Sequence, residues 1–565
     1  MKLNRRDAET RRIERTEQGP DRTFSISCIH FFLFSLCLCV SAVGSSCTSK
    51  PSDLRTLVPA ETLIYLETND LAAAIQPILD SDAFKQAAKT TPDLSALKGV
   101  QLAVAVTGFE TSEERLTDEN SVGRVQPRFV AVADTHAWNY QAVAFAEKKL
   151  SGFVADVYQG EPQLEKTEKL GGKYFTWTAK DGRKAFALVI DSLIYFGNDA
   201  SAIEKCVAVK KGEADSIAKT GKPPNSVPNS LASGYVSTDG VAQIAALAGL
   251  SFATQASDDE EVQSAVAGIL PKLIRGTVTD ASWTAMRSPQ GYEDKWQVTM
   301  PQEIASVFNE SFAIQEELGA TTYQKNELIA QLPENVFTAT HYNLKDPRLA
   351  WLSFIQAETR NLNPIEGKIL AEFSSLLFEP YGIKDPALFL GSFGDSKYAS
   401  RSIITGKLDE GSEENVAILA VGDLQSRKRS LSPDLKPPKE PIEGGINTWS
   451  SEEEDLQVIF DSQMIRIGSK ENLVRVSGSR LGELNDIRGD LLRRLATSKA
   501  PIATVGRETT TTLSLVDLLA NEGHGDVRPN STYFTETRFT NAGVDRVTTS
   551  DFGFIGTILA QLTSD

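Results

Sequence analysis

At 565 residues and 61.5 kDa the chain is too long for one small domain, and 41% AVILMFWYC with 39 glycines is enough to build a sizeable core, which excludes bulk disorder. Its 58 Lys+Arg against 75 Asp+Glu leave a formal charge of −17, which offers no basic footprint for DNA or RNA, so no nucleic acid partner is expected. Four histidines and five cysteines, none in ligand or triad spacing, give no cofactor, no metal site and no catalytic set.

Residues 2 to 22 carry seven Lys/Arg against five acids, and the 20 residues Phe24 to Val43 follow without a charge. That pattern outlines an export signal, and the apolar stretch is also long enough to span a bilayer, so a cleaved leader and an uncleaved anchor helix both remain open. Cys28, Cys37, Cys39 and Cys47 lie in or just after it. Lipidation requires a small residue before the modified cysteine. Leu36 and Leu38 disqualify Cys37 and Cys39, whereas Cys47 follows Gly44-Ser45-Ser46 and precedes Thr48 to Ser52, which read as a tether. The site resembles a bacterial lipobox but has Gly44 where an aliphatic residue is usual. The domain plan is therefore 1–46 signal peptide or membrane anchor, 47–52 tether with lipidation at Cys47, and a body beyond. Cleavage before Cys47 would leave only Cys47 and Cys206, so no internal disulfide is expected.

Along the body, Leu63–Leu66, Leu102–Val106, Phe129–Val132 and Phe186–Ile190 have the length and β-branched content of strands. Helices are predicted at Leu71–Lys89, Ala137–Leu150, Val262–Ile274 and Pro301–Leu318, and another from an Asp199 N-cap through Ala200–Lys211 to a Gly212 stop. Ser95-x-x-Lys98 and Lys219-Thr220-Gly221 imitate two elements of penicillin-binding enzymes, but the third element is missing and Lys219 leads into a Lys-Pro-Pro loop, so a chance match is expected. His136, His341 and His524 are far apart and read as solvated or locally bonded. Cys206 falls on the apolar face of its helix and reads as core. The acidic runs Asp258–Glu261 and Glu452–Asp455 lack the alternation of a calcium loop and read as solvated.

The second half echoes the first. Leu57–Tyr65 recurs as Gln331–Phe337 with Pro59 matching Pro333, Gly171-Gly172 and Trp177 recur as Gly444-Gly445 and Trp449, and Asp191–Gly197 recurs as Asp461–Gly468. Ala131–Asp134 answers Ala420–Asp423, which implies extra chain early in the second half, within Pro347 to Pro386. Residues 53–325 and 326–565 are accordingly read as two tandem copies of one α+β domain. Ser426–Arg429 and the prolines from Pro433 to Pro441 are expected to form an exposed loop in place of the Ala137–Leu150 helix. Trp177 and Trp449 read as core anchors beside Gly-Gly turns, with ligand stacking as the alternative, and Asp191 and Asp461 as tight turns.

The Leu-Val-Pro-Ala-Glu-Thr opening, the Asp-Ser-x-aliphatic strand ending in Gly and the leader resemble a family of uncharacterised exported bacterial proteins classed as a domain of unknown function. The resemblance implies location, and no substrate, cofactor or catalytic residue. The leading expectation is a non-enzymatic envelope lipoprotein, its body in the periplasm or outside, that binds a partner protein or an extended ligand. The alternatives are a hydrolase of envelope material and a carrier of apolar molecules, and a pocket separates them: apolar walls favour the carrier, converging Ser, Lys or carboxylates the hydrolase.

Overall fold

The computed structural model describes residues 52–561 except 116–120, 159, 223–226, 257–259, 315–327, 334–335, 361, 394–401, 410–414, 421–422, 438–446, 452–454, 461–463, 478–486 and 521–530. Cys28, Cys37, Cys39, Cys47, Gly444-Gly445, Asp461 and His524 therefore lie outside the described residues.

The fold is mixed α+β around one antiparallel sheet. Its first ten strands are β1 (Ile64–Thr68), β2 (Gln101–Arg115), β3 (Ser121–Asp134), β4 (Gln163–Lys169), β5 (Gly172–Thr178), β6 (Lys184–Ile190), β7 (Leu193–Gly197), β8 (Ala232–Ser237), β9 (Asp280–Ser288) and β10 (Gly291–Thr299). The next ten are β11 (Thr338–Tyr342), β12 (Ile403–Lys407), β13 (Val416–Ala420), β14 (Leu435–Lys436), β15 (Asn447–Ser451), β16 (Gln457–Phe460), β17 (Met464–Gly468), β18 (Ile502–Arg507), β19 (Thr532–Thr540) and β20 (Gly543–Ser550). Pairing runs β4-β5-β6-β7-β3-β2-β1-β8-β9-β10 and continues through β20-β19-β18-β11-β12-β13-β17-β16-β15-β14. Numbered within each half, the two orders are the same, and they meet where β10 pairs β20 from Tyr292 opposite Ser550 to Thr299 opposite Gly543.

Two glycines set this junction. Gly291 and Gly543 each open the second strand of a hairpin at φ 145° and 141°. A Cβ on Gly291 would meet the Asp551 carbonyl, and one on Gly543 the Val298 carbonyl, so each strand start is packed against the end of the other half's strand. The helices that follow also cross over. Helix Gln302–Ser311 sets Phe308 and Phe312 against Phe539 of β19, while helix Gly553–Ala560 sets Phe554 edge-on against Trp283 of β9 and Trp296 of β10 at 5.1 and 4.9 Å.

In the first half both sheet faces are covered. One face packs Tyr65, Val130, Val132 and Leu188 under helix Ala200–Lys211 through Ile203, Cys206 and Val207. The other packs Leu102, Phe129, Ala131 and Trp177 under Leu71–Asp80 and the Asn139–Val157 helical stretch. Helix Ala200–Lys211 begins at the Asp199 cap and ends at a left-handed Gly212, as expected. The Leu71–Lys89 helix breaks at Ser81, whose extended backbone ends Leu71–Asp80 and whose hydroxyl caps Asp82–Ala87. The helix predicted at Pro301–Leu318 stops at Ser311. Extra chain between β11 and β12 forms helix Pro364–Ser375 and the 3₁₀ turn Leu376–Tyr381.

One expectation is corrected. Ser426–Arg429 belong to a short helix, Leu424–Ser430, capped by Asp423. The prolines begin only after it, so nothing in that turn forbids a helix. Arg427 is fully buried, donates from Nε to Ser392 Oγ at 2.7 Å and stacks 4.5 Å above the Phe393 ring. Burial pulls its guanidinium down to about 9.

Candidate functional site

The sheet alternates its side chains, so Leu66 of β1, Leu102 and Val104 of β2, Ala232 of β8 and Trp283 of β9 point to one face. Two helices lie over them without closing the space between. Leu71 and Ala74 come from Leu71–Asp80, Ile555 and Ile558 from Gly553–Ala560, and together they bound a small open-mouthed pocket of about 70 Å³. Hydrocarbon forms essentially all of its exposed wall. The first half supplies the floor and the last helix of the second half supplies one wall, so the pocket depends on the crossover.

A buried carboxylate holds two of those walls. Asp294 of β10 is 2% exposed, accepts from Trp283 Nε1 on Oδ1 at 2.8 Å, and accepts from the Phe554 backbone N–H on Oδ2 at 2.8 Å. Desolvation raises it to about 6, against these two hydrogen bonds, which pull the other way. Asp551, just before the same helix, accepts from the Thr532 N–H and is raised by burial to about 6. Burial, Asp551 and Asp294 push Glu508 well above the carboxylate range, and its Oε2 is buried without a hydrogen-bond partner. Tyr292 completes the support: its hydroxyl donates to the Ala74 carbonyl at 2.6 Å, tying β10 to the opposite pocket wall. The sequence carries a signal for this group. In Gly291–Thr299 the residues Tyr292, Asp294 and Trp296 alternate with Glu293, Lys295 and Gln297, which puts an acid on the aromatic face.

The residues singled out from sequence stand apart from this pocket. Ser95 Oγ donates to Asp93 Oδ2 at 2.9 Å in an exposed 3₁₀ turn, and Lys219 pairs with Asp215 at 3.0 Å, so each binds a near neighbour. Lys222 pairs with Asp280. His136 lies at φ 51° with Nε2 3.2 Å from Gln101 Oε1 and Nδ1 3.5 Å from Asp134, which makes it locally bonded. His341 is fully buried on β11, between β12 and β18, so of the solvated and locally bonded readings the solvated one does not hold. Cys206 is buried, and burial raises its thiol to about 12, the chemistry of core rather than nucleophile. Trp177 is fully buried with Nε1 donating to Ser151 Oγ at 2.9 Å.

Trp449 is half-buried under Lys428 Nζ at 5.5 Å. Strand register gives it the place of Phe175 rather than Trp177. Phe175 faces Ala187, which faces Phe196, and Trp449 faces Val458, which faces Ile467, each chain of pairs lying one step before the closing Gly197 or Gly468. Asp191 sits at φ 57° in the β6–β7 turn, as its turn reading requires. Among the described residues no group of three His, Cys, Asp or Glu could hold a metal, and no helix is long and apolar enough to cross a membrane. Compared with known proteins, the chain matches no family model, no curated protein and no solved structure.

Proposed function

We propose that this chain is a non-enzymatic envelope lipoprotein, exported by its leader and held at a membrane through Cys47, whose body takes up an apolar ligand. The observation that carries the ligand class is the pocket itself: Leu66, Leu102, Val104, Trp283, Ile555 and Ile558 offer almost no polar atom. Such a wall selects for a hydrocarbon segment, because a polar group buried there without a partner would cost roughly 1–3 kcal/mol or more. The carrier reading thereby moves ahead of the hydrolase, which needs converging polar groups. The tandem reading, 53–325 and 326–565 as two copies of one α+β domain, is supported by the common strand order and the reciprocal packing at Gly291 and Gly543. The resemblance to exported proteins of unknown function remains part of this proposal.

Val104→Phe tests the ligand reading, because it fills the pocket from the sheet floor. With an environment-sensitive fatty acid such as parinaric acid as probe, the wild type is expected to bind and the variant to lose at least tenfold in affinity. Equal binding by both would place the probe elsewhere and remove the reading. A hydrolase would instead turn over acyl or glycan substrates, and labelling of a single serine by an acyl phosphonate would favour it.

A further inference from the structure

We propose that Trp138 and Tyr140 form a bilayer-contacting surface that lays the body against the membrane beside its tether. This rests on the tethered-lipoprotein reading, and goes beyond it by naming the face that meets lipid. Three observations converge on it.

The first is exposure. Trp138 is 74% and Tyr140 71% exposed, at the cap and first turn of the Asn139–Phe145 helix. The Trp138 backbone is fixed by Gln141 Oε1, which accepts from its N–H at 3.1 Å, so an ordered turn presents the ring to solvent. Exposed rings with an apolar body and a polar edge suit the headgroup layer of a bilayer.

The second is position. Ser52, the last residue of the expected tether and the first described one, donates from N to Gln101 Oε1 at 2.8 Å and from Oγ to Asp134 Oδ2 at 3.0 Å, and its carbonyl accepts from Gln101 Nε2 at 2.9 Å. The same Asp134 accepts from the His136 N–H, which opens the turn to Trp138. Five residues of reach from Cys47 to Ser52 span at most about 18 Å, so a lipid on Cys47 confines this end of the body to the bilayer surface.

The third is charge and asymmetry. The chain, of formal charge −17, is repelled by anionic headgroups, yet Thr135 to Ala146, between Asp134 and Glu147, carry no acid, and Lys148 and Lys149 follow two turns on. The corresponding short helix of the other half starts Asp423-Leu424-Gln425-Ser426, without an aromatic residue. The aromatic pair occurs only in the half whose N-terminal chain leads to Cys47.

The test uses the full-length chain reconstituted in phosphatidylethanolamine–phosphatidylglycerol vesicles whose acyl chains carry bromine near the headgroup. Bromine quenches tryptophan fluorescence only on contact, and the leader contains no tryptophan. Wild type is expected to be quenched, and Trp138→Phe to lose most of that quenching; Tyr140→Ser is expected to weaken it at least twofold with unchanged circular dichroism. Equal fractional quenching of wild type and Trp138→Phe, or none in either, overturns the proposal. Protection of Trp138 from acrylamide in detergent without bromolipid quenching assigns the patch to a second copy and also overturns it. Intact mass decides the tether separately. Quenching with an unmodified Cys47 keeps the surface and removes the lipid, whereas a diacylglyceryl mass without quenching keeps the lipid and removes the surface.

Discussion

Asp294 sits where a carboxylate is least comfortable and most useful. Two donors on different elements, Trp283 Nε1 and the Phe554 N–H, converge on its two oxygens, so one side chain fixes a pocket wall and the start of the helix that forms the other. Its carboxyl is raised to about 6, which means the folded state holds a proton that the unfolded chain has released between about pH 4 and 6. Stability contributed by that group is therefore present at the acid end of the window and lost as pH rises through it. Asp551 and Glu508 are raised as well and act in the same direction. Urea unfolding is expected to show the protein more stable at pH 5 than at pH 7.5, with about 1.4 kcal/mol of the difference from Asp294 alone. Asp294→Asn should shrink that difference and weaken pocket binding, because an amide offers one acceptor where two donors converge; an unchanged pH profile would show that Asp294 is not the titrating group. Ser95, by contrast, is a surface turn residue bonded to Asp93, and Ser95→Ala is expected to change stability by less than about 0.5 kcal/mol and to leave no β-lactam adduct to lose in the mass spectrum.

The same contrast between local signal and tertiary position holds for the elements. Asp199 and Gly212 bracket a helix that forms as written, because caps and a left-handed stop act within a few residues. Apolar runs such as Phe186–Ile190 become strands for an equally local reason. Leu424–Ser430 is hidden by its charges: Ser-Arg-Lys-Arg reads as solvated, and the Ser392 hydroxyl and the Phe389 and Phe393 rings, all distant in sequence, help make burial of Arg427 tolerable. Free sheet edges are managed by composition. β4 carries Glu165, Lys166, Glu168 and Lys169, and β14 is two residues long and followed by Pro437, so neither invites a further strand. The junction has no such freedom. At Gly543 an alanine would combine an unfavourable φ of 141° with a collision against the Val298 carbonyl. Gly543→Ala is expected to destabilise by more than about 2 kcal/mol, seen as a lowered Tm, and an unshifted Tm would mean that β20 can part from β10 at little cost.

At the scale of the whole molecule the order of strands is within reach of the proposed repeat, and the way the halves join is not. Pro59 and Pro333, or Asp191 and Asp461, recur at nearly constant separation and imply that each half reaches the same strands in the same order. Nothing in the spacing says that β10 pairs β20, or that Phe554 packs on Trp283 while Phe312 stacks on Phe539, because those contacts join residues more than two hundred positions apart. The pocket was illegible for the same reason, since its wall of Ile555 and Ile558 arrives from the far end of the chain. This joining makes a prediction about the halves as separate polypeptides, 1–325 and 326–565. Each alone would expose β10 or β20 as an unpaired edge and lose the helix that covers its aromatic floor, a combination that drives aggregation. Co-expressed, they are expected to copurify as a one-to-one complex that binds the same apolar probe as the intact chain, while either half alone is insoluble or does not bind. Two soluble halves that ignore each other, with the first still binding the probe, would show that the continuous sheet and the exchanged helices contribute nothing to the pocket.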